Sequence, residues 1–379
     1  MVLAATGFVL KDSLNRMPLW TPLKLQMHKM LQDLAPRPLI PKHTALVLIG
    51  DQEFWCGELA ARNPLKRDYL ASVIEGVAAA RPAAIALDHI IDSPAPDGSV
   101  VDFAEYAPET GALFSTLRRV CIDTDVVLAR TFRRTGHRTY LANASPLDDL
   151  RPLPRRLRMG HINLPWDQRT IPSTVVLADG RTWPAFFEAV VLAANYDLDE
   201  AVLNEEFSFG TFIPRKEFRT LSAGRVRLGE FDFAQLRNKI VFIGGTWSAD
   251  GFGLGPTVDL HDTPLGPVPG VYLHATYVEA LLQDRTKRPV PHALGTIYEV
   301  VLTVFVAILS ALEFGLLART LQVVLLTALT FAVSYFAWQN VGLFFDAFLP
   351  IALVIAHSGV ETFRDLRREA TLYRAQQAP

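Results

Sequence analysis

The chain has 379 residues, of which 50% are hydrophobic, and a formal net charge of −2. This near-neutral charge argues against a nucleic-acid partner, because phosphate binding needs a basic surface. The two cysteines, Cys56 and Cys121, are too few for a disulfide framework or a cysteine-rich zinc site. We expect two unpaired core thiols, with a single disulfide as the alternative if the domain is exported.

The first 39 residues form a segment that precedes the first predicted strand. Val2–Leu10 is apolar, but it is too short to cross a bilayer and no basic stretch precedes it. Residues 1–39 are therefore interpreted either as the remnant of an anchor helix or as the start of a trimmed chain.

Strands and helices alternate from Thr44 to Leu282, and this alternation predicts an α/β domain with helices on the faces of a sheet. Short apolar runs bounded by turn residues indicate the strands, and amphipathic spacing indicates the helices. The predicted strands are Ala45–Ile49, Ala83–Leu87, Thr139–Ala142 and Lys239–Ile243. The predicted helices are Lys66–Ala80, Asp123–Thr135, Trp183–Asn195 and Val271–Gln283.

Three of the predicted strands end in residues suited to ligand binding. Asp51 and Asp88 follow the first two strands, and Gly244 and Gly245 follow the last. Ligands of open α/β sheets bind at the carboxyl ends of strands, so these four residues are candidate ligand-binding residues. The alternative is that the aspartates cap loops or the following helices. Neither G-x-G-x-x-G nor G-K-[ST] occurs, so no nucleotide cofactor is predicted.

A proline-rich loop before the last predicted helix contains the remaining candidates. Asp259, Thr263 and His274 are candidate ligand-binding residues, and Asp259 and Thr263 are alternatively turn residues. Asp259, His274 and the intervening His261 and Asp262 also offer zinc-ligand chemistry. The spacing fixes no geometry, so we predict no metal. No nucleophile has a recognisable catalytic context, so no catalytic residue and no enzyme activity are predicted.

Residues 236–282 read LRNKIVFIGGTWSADGFGLGPTVDLHDTPLGPVPGVYLHATYVEALL. The strand "KIVFIGGT", an aspartate before "TPLG" and "PGV-x-x-HA" opening a helix are similar to the signature of the type-two CHASE sensory domains. The upstream segments "KRDYLASVIEGVAAARPAAIALDHII", "MGHINLPWDQRTIP" and "TWPAFFEAVVLAANY" also resemble this family. The resemblance covers about residues 40–285. It implies an extracytoplasmic sensor of the kind attached to bacterial cyclases and histidine kinases, and it implies no metal.

Three apolar segments of the length that crosses a bilayer as a helix follow this domain. They are Thr296–Ala318, Thr320–Trp338 and Val341–Phe363. The predicted fold class is thus an α/β sensory domain, residues 40–288, followed by an all-α bundle of three transmembrane helices, residues 296–363, and a basic tail, residues 364–379. The family's usual architecture has the same triple-helix unit after the domain.

Basic residues near the apolar segments predict the orientation. Those on the tail side are Arg319, Arg364, Arg367, Arg368 and Arg374, and those on the domain side are Arg285, Lys287 and Arg288. This modest bias places the C-terminus in the cytoplasm and the large domain outside. The predicted location is the plasma (inner) membrane. The reverse orientation is the alternative.

The predicted function is that of a membrane-anchored sensor that passes a signal through three transmembrane helices. The cyclase or kinase module expected after the last span is absent from residues 364–379, so the output is missing or supplied separately. The expected partners are the lipid bilayer, a small-molecule or protein ligand outside the cytoplasm, and an output protein or a second copy of the chain. The alternative function is a non-catalytic structural subunit of a membrane complex, with the outer domain as a binding platform.

Overall fold

The computed structural model of the protein describes most of the chain. The described residues are 21–35, 38–62, 65–91, 103–134, 139–142, 150, 152–162, 170–172, 174–196, 206–208, 211–250, 257–310, 316–345 and 348–377. They fall into two compact units, of which the first comprises residues 37–286 and the second residues 1–36 with 287–379. The apolar stretch Val2–Leu10 lies outside the described residues.

A six-stranded sheet organises the first unit, and all of its strand pairs are parallel. From one edge to the other, its strands are β11 (Thr220–Ser222), β1 (Thr44–Ile49), β12 (Ile240–Gly245), β2 (Ala84–Asp88), β3 (Val126–Arg130) and β6 (Leu157–His161). The predicted α/β class with strand–helix alternation is confirmed for this unit.

Helices cover both faces of this sheet. They are α2 (Arg67–Ala79), α3 (Phe103–Val120), α4 (Phe186–Ala193), α5 (Ala223–Arg227) and α6 (Gly270–Leu282). Neighbouring residues of one strand point to opposite faces. Leu46 accordingly packs in the core formed with α4 and α6. Val47 packs in the core formed with α2, α3 and α5.

Smaller antiparallel and mixed sheets and three short helical turns complete the described part of the first unit. Four strands form one sheet, β4 (Phe132–Arg134), β5 (Thr139–Ala142), β8 (Thr174–Leu177) and β9 (Thr182–Pro184). Two pairs are β7 (Thr170–Pro172) with β10 (Glu206–Ser208), and β13 (Leu260–Thr263) with β14 (Gly266–Pro269). A π-helical turn spans Gln52–Cys56, and 3-10 turns span Arg215–Glu217 and Phe233–Gln235.

The predicted helix Asp123–Thr135 is wrong. The segment contains β3 and β4, and the helix of this region is the earlier α3. All five residues of β3 are buried, because the strand lies inside a parallel sheet covered on both faces. Such a strand reads as a continuous apolar run, which periodicity alone does not separate from a helix. The predicted helix Trp183–Asn195 is shorter in the structure, since Trp183 and Pro184 belong to β9.

Both cysteines are free, as expected, and no disulfide joins them. Cys121 is buried, and burial raises the pKa of its thiol to about 12. Cys56 is exposed at the end of the π-helical turn, so its prediction as a core thiol is wrong.

The second unit is mostly helical. Its elements are α1 (Thr21–Asp33), β15 (Arg288–Pro289), α7 (His292–Ser310), α8 (Leu316–Phe336), the π-helical turn Ala337–Val341, β16 (Leu343–Phe344) and α9 (Phe348–Gln377). Helix α1 was not predicted from the sequence. It packs through Leu31 on Trp338 and Phe344, and the Tyr335 hydroxyl donates to the Leu34 carbonyl at 3.1 Å. Helix α1 is thus packed against the C-terminal region.

The three predicted transmembrane segments correspond to three helices, α7, α8 and α9, of which the structure supports one as a span. In the described part of the chain, Thr320–Val341 alone is long and apolar enough to cross a membrane, and Ala293–Leu302 is a shorter apolar helix. Residues 311–315, inside the first predicted span, lie outside the described residues. The bundle of three transmembrane helices therefore remains a prediction.

Candidate functional site

The sequence candidates at the strand ends meet at one edge of the large sheet. β12 lies between β1 and β2, and Gly244 is in register with both Leu48 and Asp88. Asp51 follows β1 by two residues at the same edge. Because all three strands are parallel, their carboxyl ends share this edge, as the sequence analysis expected.

Asp51 fixes the loop that follows β12. Its Oδ1 accepts hydrogen bonds from the Ser248 backbone N–H at 2.6 Å and from the Ser248 hydroxyl at 2.7 Å. The Trp55 indole N–H donates to the Ser248 carbonyl at 2.9 Å, and Phe54 stacks on Trp247 at 4.3 Å. This geometry favours the loop-capping alternative for Asp51, and a ligand-binding role stays a prediction.

Gly244 and Gly245 are required by packing. A Cβ on Gly244 would lie 2.6 Å from the Val271 Cβ, and a Cβ on Gly245 would lie 2.3 Å from Cζ3 of Trp247. Both distances are shorter than any normal carbon–carbon contact, so the two glycines let α6 and the Trp247 ring approach the sheet. Backbone contact with a ligand phosphate is not needed to explain them.

Asp88 and His274 form the buried centre of the edge. The His274 Nε2 lies 3.8 Å from the Asp88 Oδ1, and the two side chains are only 4% and 6% exposed. The His274 ring packs edge-on against Phe186 at 5.2 Å. The distance exceeds hydrogen-bond length, so the two buried groups face each other without a direct hydrogen bond.

Burial favours the neutral forms of the titratable groups at this centre. Desolvation raises the pKa of Asp88 well above its ordinary value, and the nearby Asp259 charge raises it further. Desolvation lowers the pKa of His274 to about 3 and that of the adjacent His89 to about 4. The Asp259 charge opposes both histidine shifts but is the smaller effect. Both imidazoles are therefore uncharged at neutral pH, and Asp88 is biased towards its protonated form.

Asp259 and His261 lie at the outer rim of this centre. The Asp259 Oδ1 is 2.9 Å from the His261 Nε2, and the Asp259 side chain is 60% exposed while that of His261 is 19% exposed. Asp259 has a positive φ of 53°, and its carbonyl accepts from the Gly270 N–H at 3.0 Å, where α6 begins. Asp259 is therefore exposed to solvent and also hydrogen-bonded to the start of α6, the helix that carries His274.

Thr263 and Asp262 belong to the β13–β14 hairpin. The Thr263 hydroxyl donates to the Gly266 carbonyl at 2.6 Å and accepts from the Leu265 N–H at 3.2 Å. Thr263 thus closes the turn, as its alternative interpretation states. Within the described residues, no group of three or more His, Cys, Asp or Glu side chains could hold a metal ion.

Sequence reasoning missed the buried acid Glu188 in the first turn of α4. The residue is fully buried, and neither of its carboxylate oxygens has a hydrogen-bond partner among the described residues. Burial raises the pKa of Glu188 to about 9, and the backbone of Ala185 lowers it by a smaller amount. The signal was present in the sequence, since Glu188 is the only charged residue of the apolar run Phe186–Ala193.

The arrangement as a whole suits ligand binding more than catalysis. His89 and His274 are uncharged imidazoles, and burial biases Asp88 towards its protonated form. Such groups can recognise a polar ligand, or respond when one arrives, because a polar contact is strong in a dry site. The described residues place no activated nucleophile next to them.

Comparison with known proteins identifies one family. The model of the CHASE2 domain matches residues 2–312 of the chain. No curated protein and no solved structure matches the chain. The family match covers the whole first unit and extends beyond the start of α7.

Proposed function

The chain belongs to the CHASE2 domain family, and from this premise we propose that it is a membrane-anchored receptor. CHASE2 domains are extracytoplasmic sensory domains. The proposed receptor binds a small-molecule or protein ligand with residues 40–288 and passes the signal through three transmembrane helices. We assign no catalytic residue among the described residues, and in this proposal the signal passes to an output module.

The family match is the observation that carries the sensory role. The neutral, buried contact between Asp88 and His274 supports a ligand site at the same edge of the sheet. Placing a polar or charged ligand group near such a contact would change its protonation and move α6, on which His274 lies. Helix α6 is also the last helix before the segment that leads to α7.

The surface of the helical unit supports membrane anchoring. Large apolar side chains are exposed along α7 at Ile297, Val301, Val304 and Ile308, and along α8 at Leu317, Leu321, Val324 and Leu325. A soluble protein rarely exposes contiguous apolar surface on this scale. In a bilayer the same side chains would contact lipid tails, which supports α7 and α8 as two of the three proposed spans.

Topology is tested by fusing alkaline phosphatase, which is active only outside the cytoplasm, after Gln283, Arg319, Asn340 and Arg374. Three spans with the domain outside predict activity after Gln283 and Asn340, and none after Arg319 and Arg374. If α8 alone crosses the membrane, the fusions after Gln283 and Arg319 behave alike and opposite to the other two. That result would reject the three-span proposal.

The sensory role is tested by fusing an adenylate cyclase catalytic domain after Arg374 in a host that lacks its own cyclase. We expect cyclic AMP output to change when residues 40–285 are deleted and when His274 is replaced by Gln. Replacement of the exposed Glu230 by Ala is the matched control and should leave output unchanged. Output that is indifferent to deletion of residues 40–285 would reject the role.

A further inference from the structure

A basic cleft lies at the amino-terminal ends of the strands of the large sheet, opposite the candidate site described above. Its volume is about 790 Å³. It lies between the end of α3, which supplies Arg118 and Cys121, and the starts of β3 and β6, which are marked by Asp125 and Arg156. The ligand candidates from the sequence lie at the carboxyl edge, so this cleft is a separate site.

Four arginines line the cleft and one carboxylate offsets them. Arg156 faces the Asp125 Oδ2 at 3.5 Å, and it also donates to the Asp123 carbonyl at 2.8 Å. The other three arginines, Arg118, Arg155 and Arg158, are exposed and form no ion pair within the described part of the chain. The cleft thus holds three arginines that no carboxylate of the described residues pairs with.

The walls of the cleft are suited to a ligand with a carbon skeleton. Leu153 and Ile122 line it with apolar side chains that are 47% and 69% exposed. Pro152 and Pro154 flank Leu153, and each proline fixes its own backbone φ, which holds the wall in one shape. The volume falls within the range of small-molecule sites, about 300–1,000 Å³.

We propose that this cleft binds a small anion that carries two or more phosphate or carboxylate groups. The planar guanidinium group of an arginine donates two parallel hydrogen bonds to a phosphate group or to a carboxylate group. Arg155 and Arg158, three positions apart around the start of β6, hold the ligand from one wall, and Arg118 holds it from the end of α3.

Two sources could supply such a phosphate, a free metabolite and a lipid headgroup. The chain enters β1 at the amino-terminal ends of the strands. The Gln283 side-chain amide, at the end of α6, donates a hydrogen bond to the Ile40 carbonyl there at 2.8 Å. Both connections of the first unit to the rest of the chain therefore leave from this edge. An anionic headgroup has the same chemistry as a free organic phosphate, so the experiment has to separate the two.

The test is a calorimetric titration of the full chain in non-ionic detergent, with pyrophosphate and with citrate, at low and high salt. We expect saturable binding that weakens as salt rises, because the contacts are ionic. The double variant R155A/R158A should bind about tenfold more weakly or worse. The variant R155K/R158K keeps the positive charges but loses the two-pronged guanidinium group. Its affinity should lie between that of the parent chain and that of R155A/R158A.

The matched control is R225A/R237A, which removes two exposed arginines of the same unit outside the cleft. It should bind like the parent, and unchanged thermal unfolding should show that all variants are folded. Absence of saturable binding by the parent chain, or equal loss in R155A/R158A and R225A/R237A, would overturn the proposal. No output module is needed, so this result is independent of the sensor role.

The source of the anion is resolved by repeating the pyrophosphate titration in nanodiscs. With a free anion as the ligand, the affinity is the same in discs of phosphatidylcholine and in discs that also contain cardiolipin, whose headgroup carries two phosphates. With a headgroup as the ligand, cardiolipin competes and abolishes pyrophosphate binding, while phosphatidylcholine does not. Each of these outcomes supports an anion site in the cleft, and no binding in either disc overturns it.

Discussion

The Glu279 carboxylate near the end of α6 accepts two hydrogen bonds from Thr44 at the start of β1, one from its backbone N–H at 2.7 Å and one from its hydroxyl at 2.8 Å. The same oxygen, Oε1, accepts from the N–H groups of Lys42 and His43 at 2.9 and 2.7 Å. Glu279 is fully buried. One carboxylate thus ties the segment that enters the sheet to the last helix of the domain.

We expect Glu279→Ala to loosen both segments. The substitution leaves three buried or half-buried N–H groups without their acceptor, and each lost bond to a charged group costs about 1.5–3 kcal/mol. The expected loss in the free energy of unfolding is at least about 4.5 kcal/mol if the three bonds add. Hydrogen–deuterium exchange should show much faster exchange at the amides of residues 42–44.

Two variants control this experiment. Glu279→Gln keeps a carbonyl acceptor and should lose less stability than Glu279→Ala, while the exposed Glu230→Ala should change nothing at residues 42–44. Unchanged exchange at these amides in Glu279→Ala would show that the carboxylate does not hold the two segments together.

Gly244→Ala should destabilise the domain through crowding. The added methyl would lie 2.6 Å from the Val271 Cβ, and forced overpacking of a core costs about 1–3 kcal/mol. Gly111→Ala in α3 is the control, since nothing lies within 4 Å of its Cβ and alanine is the better helix former. A lower melting temperature for Gly244→Ala alone is the expected result. Equal melting temperatures would argue that Gly244 is needed for something other than packing.

The central strands and the last helix could be predicted from sequence because their local pattern and their tertiary role agree. Ala45–Ile49 and Lys239–Ile243 are short apolar runs, and the structure makes them the adjacent strands β1 and β12. The helix predicted over Asp123–Thr135 was wrong because a strand buried on both faces shows no alternation of apolar and polar residues. Strand order is set by contacts between residues far apart in sequence, which no local pattern contains.

The candidate site was only partly predictable for the same reason. The carboxyl-end rule placed Asp51 and Asp88 at one edge correctly. What each residue does there depends on partners such as Ser248 and His274, which lie about 190 residues away along the chain. The burial that shifts the pKa of His274 exists only once α6 is packed on the sheet.

The domain should lose stability in acid partly through His274. Its pKa is about 3 in the folded protein and about 6.5 when unfolded, so between these values the unfolded chain binds more protons. Stability therefore falls as pH drops below about 6.5, by about 1.4 kcal/mol for each pH unit. His274→Gln removes this contribution. The melting temperature of the variant, relative to that of the parent, should therefore rise as pH falls from 7 to 4. A constant difference between the two proteins would contradict the shift, since all other titrating groups are shared.

Glu188 should give the opposite pH dependence, because its pKa is about 9 in the folded domain and about 4.5 in the unfolded chain. Between these values the folded state holds the extra proton, so the stability contributed by the neutral carboxyl falls as pH rises, by about 1.4 kcal/mol per pH unit. Glu188→Gln keeps the shape and removes the titration. The variant's melting temperature should therefore rise relative to the parent's between pH 5 and pH 9, and level off above the folded pKa. Parallel melting curves across this range would mean that Glu188 is ionised and paired in the folded protein. The buried acid would then be part of a charged contact instead of a neutral group held in the apolar core beside α6.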